Sequence, residues 1–112
     1  MKTINRTVLT IFPKQPYIDW ANSVNEDGPI YDMEANHSLA VLVPDEYDEY
    51  NYEEFLKKNF SHIFEEELDA WMSDPDVWPR NRTYKKFNEW FRVLVSDAVI
   101  DLGTGPVKHE LF

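Results

Sequence analysis

One stretch constrains the fold more than any other. Phe55, Leu56, Phe60, Ile63, Phe64, Leu68, Trp71 and Met72 recur with the period of an α-helix, while Glu53, Lys57, Ser61, Glu65 and Asp69 fall on the opposite side. Asn51 stands where an N-cap belongs, and Glu54 follows at capping-box spacing. Glu53 and Lys57 add a favourable i,i+4 pair. A long helix with one apolar side must lay that side on something, so the segments around it have to supply a layer for it to cover.

Three segments can build that layer. Arg6–Phe12 is rich in β-branched residues and stopped by Pro13; Leu39–Val43 is a buried-strand candidate closed by Pro44; Val95–Leu102 is the third. Between the first two, Pro16 suits a first helical turn, and Tyr17, Trp20, Ala21 and Val24 follow at i, i+3, i+4 and i+7. Asn25–Pro29 is turn chemistry, and Asp32–Asn36 suits one further helical turn. Ser73–Asp76 breaks the long helix. Asn81 or Thr83 then caps a second one, with Tyr84, Phe87, Trp90, Phe91 and Leu94 on one side. The order is β-α-β-α-α-β. It predicts an α+β, two-layer fold: a small three-stranded sheet covered by two long amphipathic helices and one short helix. The helix between the first two strands makes a parallel pairing of them an option. Residues 1–102 form the domain, and residues 103–112, opening with Gly103-Thr104-Gly105-Pro106, form a C-terminal tail.

Charge is segregated along the chain. Of a net charge of −10, residues 21 to 56 account for all of it, with ten acids and no base; the remaining segments cancel. Residues 80 to 92 are the basic counterpart, with five bases against one acid. An acidic chain with a sequence pI near 4.6 lacks the basic face that broad nucleic-acid or anionic-membrane binding needs. Disorder is countered by 7 Phe, 6 Tyr and 4 Trp, which supply a core with few residues. The longest apolar run, Leu39–Pro44, is far short of the roughly 20 residues that span a bilayer. Met1–Phe12 has no continuous apolar run of the signal-peptide kind, so the expected location is cytoplasmic and the sequons at Asn5, Asn36, Asn59 and Asn81 are read as chance. With no cysteine, disulfides, thiolate nucleophiles and cysteine metal sites are excluded.

The residues that bear chemistry are ambiguous. Arg80, Arg82, Lys85 and Lys86 lie at the start of the second predicted helix, where they either pair with acids and solvate the helix or gather an anion. Trp78, between Val77 and Pro79, is the aromatic expected near a surface pocket or interface. Asp74 and Asp76 beside it read first as capping residues. His62 and Glu66 have i,i+4 spacing, but no HExxH or second helical His joins them, so no metal site is predicted. Asp45, Glu46, Asp48 and Glu49, continued by Glu53 and Glu54, make an acidic surface that the helix dipole favours and that could also imitate nucleic-acid charge. No GxSxG, P-loop or GxGxxG occurs.

Two motifs carry a resemblance. Asn5-Arg6-Thr7-Val8-Leu9-Thr10-Ile11 with Pro13-Lys14-Gln15-Pro16 and Asp19-Trp20, and then Trp78-Pro79-x-Asn81-Arg82-Thr83-x-x-x-Phe87-x-x-Trp90-Phe91, resemble the two signatures of a family of small bacterial proteins with no assigned activity. The match covers about residues 5 to 102. It implies a bacterial, cytoplasmic, single-domain protein and nothing about mechanism.

These patterns support a small acidic cytoplasmic binding or regulatory module acting through protein contacts, without cofactor and without a catalytic signature. The expected partner is protein rather than membrane or nucleic acid, and a homo-oligomer is compatible. Two alternatives stand beside it. One is an anion-ligand-binding domain or hydrolase with a cleft near residues 74–86, using Asp74, Asp76, Arg80 and Arg82 beside Trp78. The other is an acidic nucleic-acid mimic that inhibits a DNA-binding protein.

Overall fold

A computed structural model describes residues 2–25 and 37–111. The turn expected at Asn25–Pro29 lies almost wholly outside these residues, and the one at Asp32–Asn36 entirely so. The described elements are β1 (Lys2–Thr3), β2 (Arg6–Pro13), α1 (Gln15–Val24), β3 (Leu39–Pro44), α2 (Tyr52–Trp71), a 3₁₀ turn (Pro75–Val77), α3 (Tyr84–Trp90), β4 (Phe91–Ser96) and β5 (Ile100–Asp101). The architecture is α+β. A three-stranded sheet of order β3-β2-β4 is joined by a small β1-β5 ladder, and the helices pack on one face of the larger sheet.

Both neighbours of β2 are antiparallel to it, with Arg6 opposite Pro44, Ile11 opposite Leu39, Val8 opposite Ser96 and Pro13 opposite Phe91. The parallel option for β2 and β3 is therefore not taken: the connection through α1 leaves and rejoins the sheet at the same end. Alternation along β2 sends Thr7, Leu9, Ile11 and Pro13 inward, where all four are buried, and Val8, Thr10 and Phe12 outward, where they are half-exposed.

Leu9, Ile11 and Val43 of the sheet meet Tyr17 and Ala21 of α1, Leu56, Ile63, Phe64 and Leu68 of α2, and Phe87 and Phe91. Phe64 sits at the centre, its ring 5.3 Å from Phe91 at a right angle, 5.6 Å from Trp90 and 6.1 Å from Phe87. Edge-on contacts of this kind add to the area that each ring buries.

Three expectations need correction. The third strand is not Val95–Leu102: β4 covers Phe91–Ser96, residues 97–99 leave the sheet, and Ile100–Asp101 pairs with β1 instead. The second long helix is short: α3 has seven residues and gives way to β4 at Phe91, with Leu94 in the strand rather than on a helix face. The periods overlap there. Phe87 and Phe91 fit helical spacing, while Phe91, Val93 and Val95 fit the inward side of a strand, and Phe91 serves both. Its N–H makes the last helical bond, to the Phe87 carbonyl, and its backbone is already extended. The capping box at α2 is also absent. Asn51 Oδ1 accepts from the Asp48 N–H at 2.7 Å, and Asp48 Oδ1 accepts in return from the N–H groups of Tyr50 and Asn51. The two side chains close the loop before the helix instead of capping the helix itself.

Candidate interaction face and buried polar cluster

The outward residues of the sheet lie on three adjacent strands. Val8 is flanked by Leu42 and Ser96, Thr10 by Ala40 and Leu94, and Phe12 has Arg92 opposite. Leu42 is 48% and Leu94 50% exposed. Arg92 holds its guanidinium carbon 4.4 Å from the Phe12 ring centre, a cation–π contact on the surface. Arg6 stands at the other end of the same face. The ten outward residues are thus apolar or hydroxylic apart from two arginines, and no carboxylate stands among them. On a chain of net charge −10 this is a local reversal of sign.

At one side of the sheet a groove of about 440 Å³ runs between β3 and α2. Residues 39–42 of β3 form one wall, and His62, Ile63 and Glu66 of α2 the other. Both inward and outward residues of β3 contribute, so the groove follows the strand's lateral edge. Among the described residues that edge has no strand beside it.

Among the described residues, one carboxylate is buried. Glu67 lies on the apolar stripe of α2 and is 1% exposed. Its Oε2 is 3.0 Å from His37 Nε2, and His37 in turn stacks on Tyr17 with ring centres 6.1 Å apart. Burial pushes the Glu67 carboxyl above the usual carboxylate range, and the His37 hydrogen bond and charge pull it only part of the way back. Tyr17, whose hydroxyl donates to the Glu67 main-chain carbonyl at 2.5 Å, is likewise shifted upward, first by burial and then by the Glu67 charge. The sequence does signal this site. Glu67 falls three residues after Phe64 and four after Ile63, which puts it inside the helical stripe.

The residues singled out around Trp78 come together, and most are held by the chain itself. Trp78 Nε1 donates to the Met72 carbonyl at 2.7 Å. Arg82 reaches the Pro79 carbonyl at 3.1 Å and Glu65 Oε1 at 3.2 Å, with its guanidinium carbon 5.7 Å from the Trp78 ring centre. Lys86 Nζ donates to the Arg80 carbonyl at 2.6 Å, and its N–H to Thr83 Oγ1, the cap of α3. The side chains of Arg80 and Lys85 are exposed. Asp74 accepts from the Asp76 N–H at 3.0 Å and caps the 3₁₀ turn; both carboxylates are at the surface. Asp45, Glu46 and Glu49 are exposed in the loop before α2, and Asp48 is half-buried in the turn described above. His62 and Glu66 line the groove. Among the described residues, no three His, Asp or Glu side chains converge as a metal site would require.

The two sequence motifs meet in space. Lys14 N–H and Nζ donate to the carbonyls of Trp90 and Asn88, Trp20 Nε1 donates to Val77, and the rings of Tyr17 and Trp90 meet nearly edge-on. Asn81 adopts the left-handed backbone at φ 58° that turns the chain towards α3, a conformation that Asn tolerates better than most residues. Lys14, Tyr17 and Trp20 thus help to join the first and last thirds of the fold.

Among the described residues, no helix is long and apolar enough to cross a membrane. Comparison of the chain with protein-family models, with curated proteins and with solved structures finds no match in any of the three.

Proposed function

We propose that the chain is a binding module that acts through protein contacts, and that the outer face of the β3-β2-β4 sheet is where it binds. The observation that carries this reading is that face itself, which no element among the described residues covers. Antiparallel sheets commonly leave one face to water, but that face is then polar. Here Val8, Phe12, Leu42 and Leu94 occupy it with Ala40, and two arginines frame them. Such a patch suits a partner that brings apolar side chains and carboxylates: the former dock between the strands, and the latter meet Arg6 and Arg92. The arrangement around Trp78 favours a structural duty for two of its cations, since the terminal Arg82 nitrogens and Lys86 Nζ are directed at carbonyls and Glu65.

The test is site-specific photo-crosslinking. A photoreactive residue in place of Leu94 should capture a discrete protein from native lysate, and capture should fall when Arg92 is replaced by Glu. The same photoreactive residue placed at the exposed Lys57 on α2 should capture none of it. Equal yields from the two positions, or a chain recovered only as free monomer, would overturn the reading.

A further inference from the structure

Leu102–Leu111 leaves the body of the protein and buries none of its side chains. Leu102 is 75%, Val107 60% and Leu111 100% exposed. The Cα radius of gyration is 15.5 Å, against about 13 Å for a compact chain of this length. The chain sets the direction of this arm with its own chemistry. Gly103 N–H donates to Asp101 Oδ1 at 2.7 Å, Gly105 takes a φ of +81° that other residues avoid, and Pro106 starts a run without helix or turn. Within that run Val107, His109 and Leu111 alternate with Lys108 and Glu110, the pattern of a strand with one apolar side.

The same molecule has a place that such a strand fits. Among the described residues, no strand pairs with the lateral edge of β3, and the groove beside it is walled by residues 39–42 and Ile63 with His62 and Glu66 as its polar members. Pro106–Leu111 has six residues, as has β3. We propose that the arm of one chain adds as a strand to the β3 edge of a second copy, seating Val107 and Leu111 in the groove against α2 and bringing His109 on the same side towards Glu66. Main-chain pairing supplies the attraction, and the alternate side chains fix the register. Each copy carries one arm and one groove, so reciprocal exchange closes at two chains.

The absence of cysteine makes the test direct. By light scattering, the full chain should show the mass of two copies at high micromolar concentration. Val107→Lys/Leu111→Lys should return it to the mass of one copy, and at dilutions where the parent is itself monomeric the two should share one thermal midpoint, because neither side chain touches its own body. Under mild oxidation, Ala40→Cys, on the outer face, paired in turn with Lys108→Cys and Glu110→Cys, on the outward side of the added strand, should give a disulfide between chains for at least one pair. A parent that stays monomeric at every concentration overturns the proposal, as does a dimer that survives the double lysine variant. A disulfide formed only within one chain also overturns it, since the arm would then fold back on its own body.

Discussion

The two faces of β2 come from one run of residues and have opposite fates. Thr7, Leu9 and Ile11 point inward and are buried; Val8, Thr10 and Phe12 point outward and remain partly open to solvent. Both sets are rich in β-branched or aromatic residues, so strand propensity does not separate them. What separates them is the helical layer. α1, α2 and α3 all gather on the inner side, where the aromatic rings interlock. On the outer side nothing among the described residues covers the apolar positions. Folding therefore draws on one face, and the apolar character of the other is left over for contact with something else.

The largest effect should come from the inner side. Phe64→Ala removes the ring around which Phe87, Trp90 and Phe91 pack, and should cost about 3–5 kcal/mol in urea denaturation. Loss of stability from Leu42→Ala or Leu94→Ala should stay below about 1 kcal/mol, because both side chains are already half in water. If Leu94→Ala costs as much as Phe64→Ala, the two faces do not differ in the way argued.

A finer contrast lies within the strand. Thr7 is buried, and its hydroxyl donates to the Tyr47 carbonyl at 2.6 Å, tying β2 to the acidic loop. Thr7→Val keeps the shape and leaves that carbonyl without its donor, at a cost of about 1–2 kcal/mol. Thr10→Val, three residues on and facing outward, should leave stability nearly unchanged. Equal effects of the two substitutions in the same denaturation assay would show that the alternation carries no energetic difference.

The buried carboxylate gives a third test, with a sign. Because the folded Glu67 carboxyl lies above its ordinary value of 4.5, the native state holds its proton to higher pH than the unfolded chain does. That contribution to stability is largest at low pH and is lost as pH rises through the folded value. Glu67→Gln cannot ionise and keeps polar atoms towards His37. Its stability relative to the parent should therefore be least favourable near pH 4.5 and should improve steadily as pH rises towards neutrality. Comparing the two proteins removes the opposing effect of the other carboxylates. A gap that is flat with pH, or that moves in the parent's favour, would contradict the upward shift.

How much of this was legible in the sequence depends on the period. Where one period ran alone, as in α2 or β2, the elements were readable to within a residue or two. Where two periods shared a residue, as at Phe91, the boundary was hidden and α3 was read as too long. The buried pair was half visible: Glu67 interrupts an apolar stripe, but its partner His37 lies thirty residues away, and only the tertiary fold brings them together. The basic cluster at 80–86 was visible as charge and not as geometry. Sequence spacing cannot reveal that Arg82 turns back to Pro79 and Glu65, or that Lys86 turns back to Arg80. The open sheet face was the least legible feature. Alternation shows that β2 has two sides, whereas which side the helices cover depends on how the connections run.

The smallest expected effect on folding is the one that bears most on function. Leu94→Thr keeps a strand-favouring residue on β4, removes apolar surface that is half exposed, and adds a hydroxyl that water can reach. Stability should move by no more than about 0.5 kcal/mol. If the face is a binding surface, the same substitution should lower partner capture from a photoreactive residue at Leu42 severalfold, since the docked side chain would lose its apolar seat between Thr10 and Leu94. Thr10→Val should not lower it, because that change adds apolar surface at the same place. A Leu94→Thr protein that folds as the parent does and still captures the same partner at full yield would leave the apolar character of this face without a role in binding.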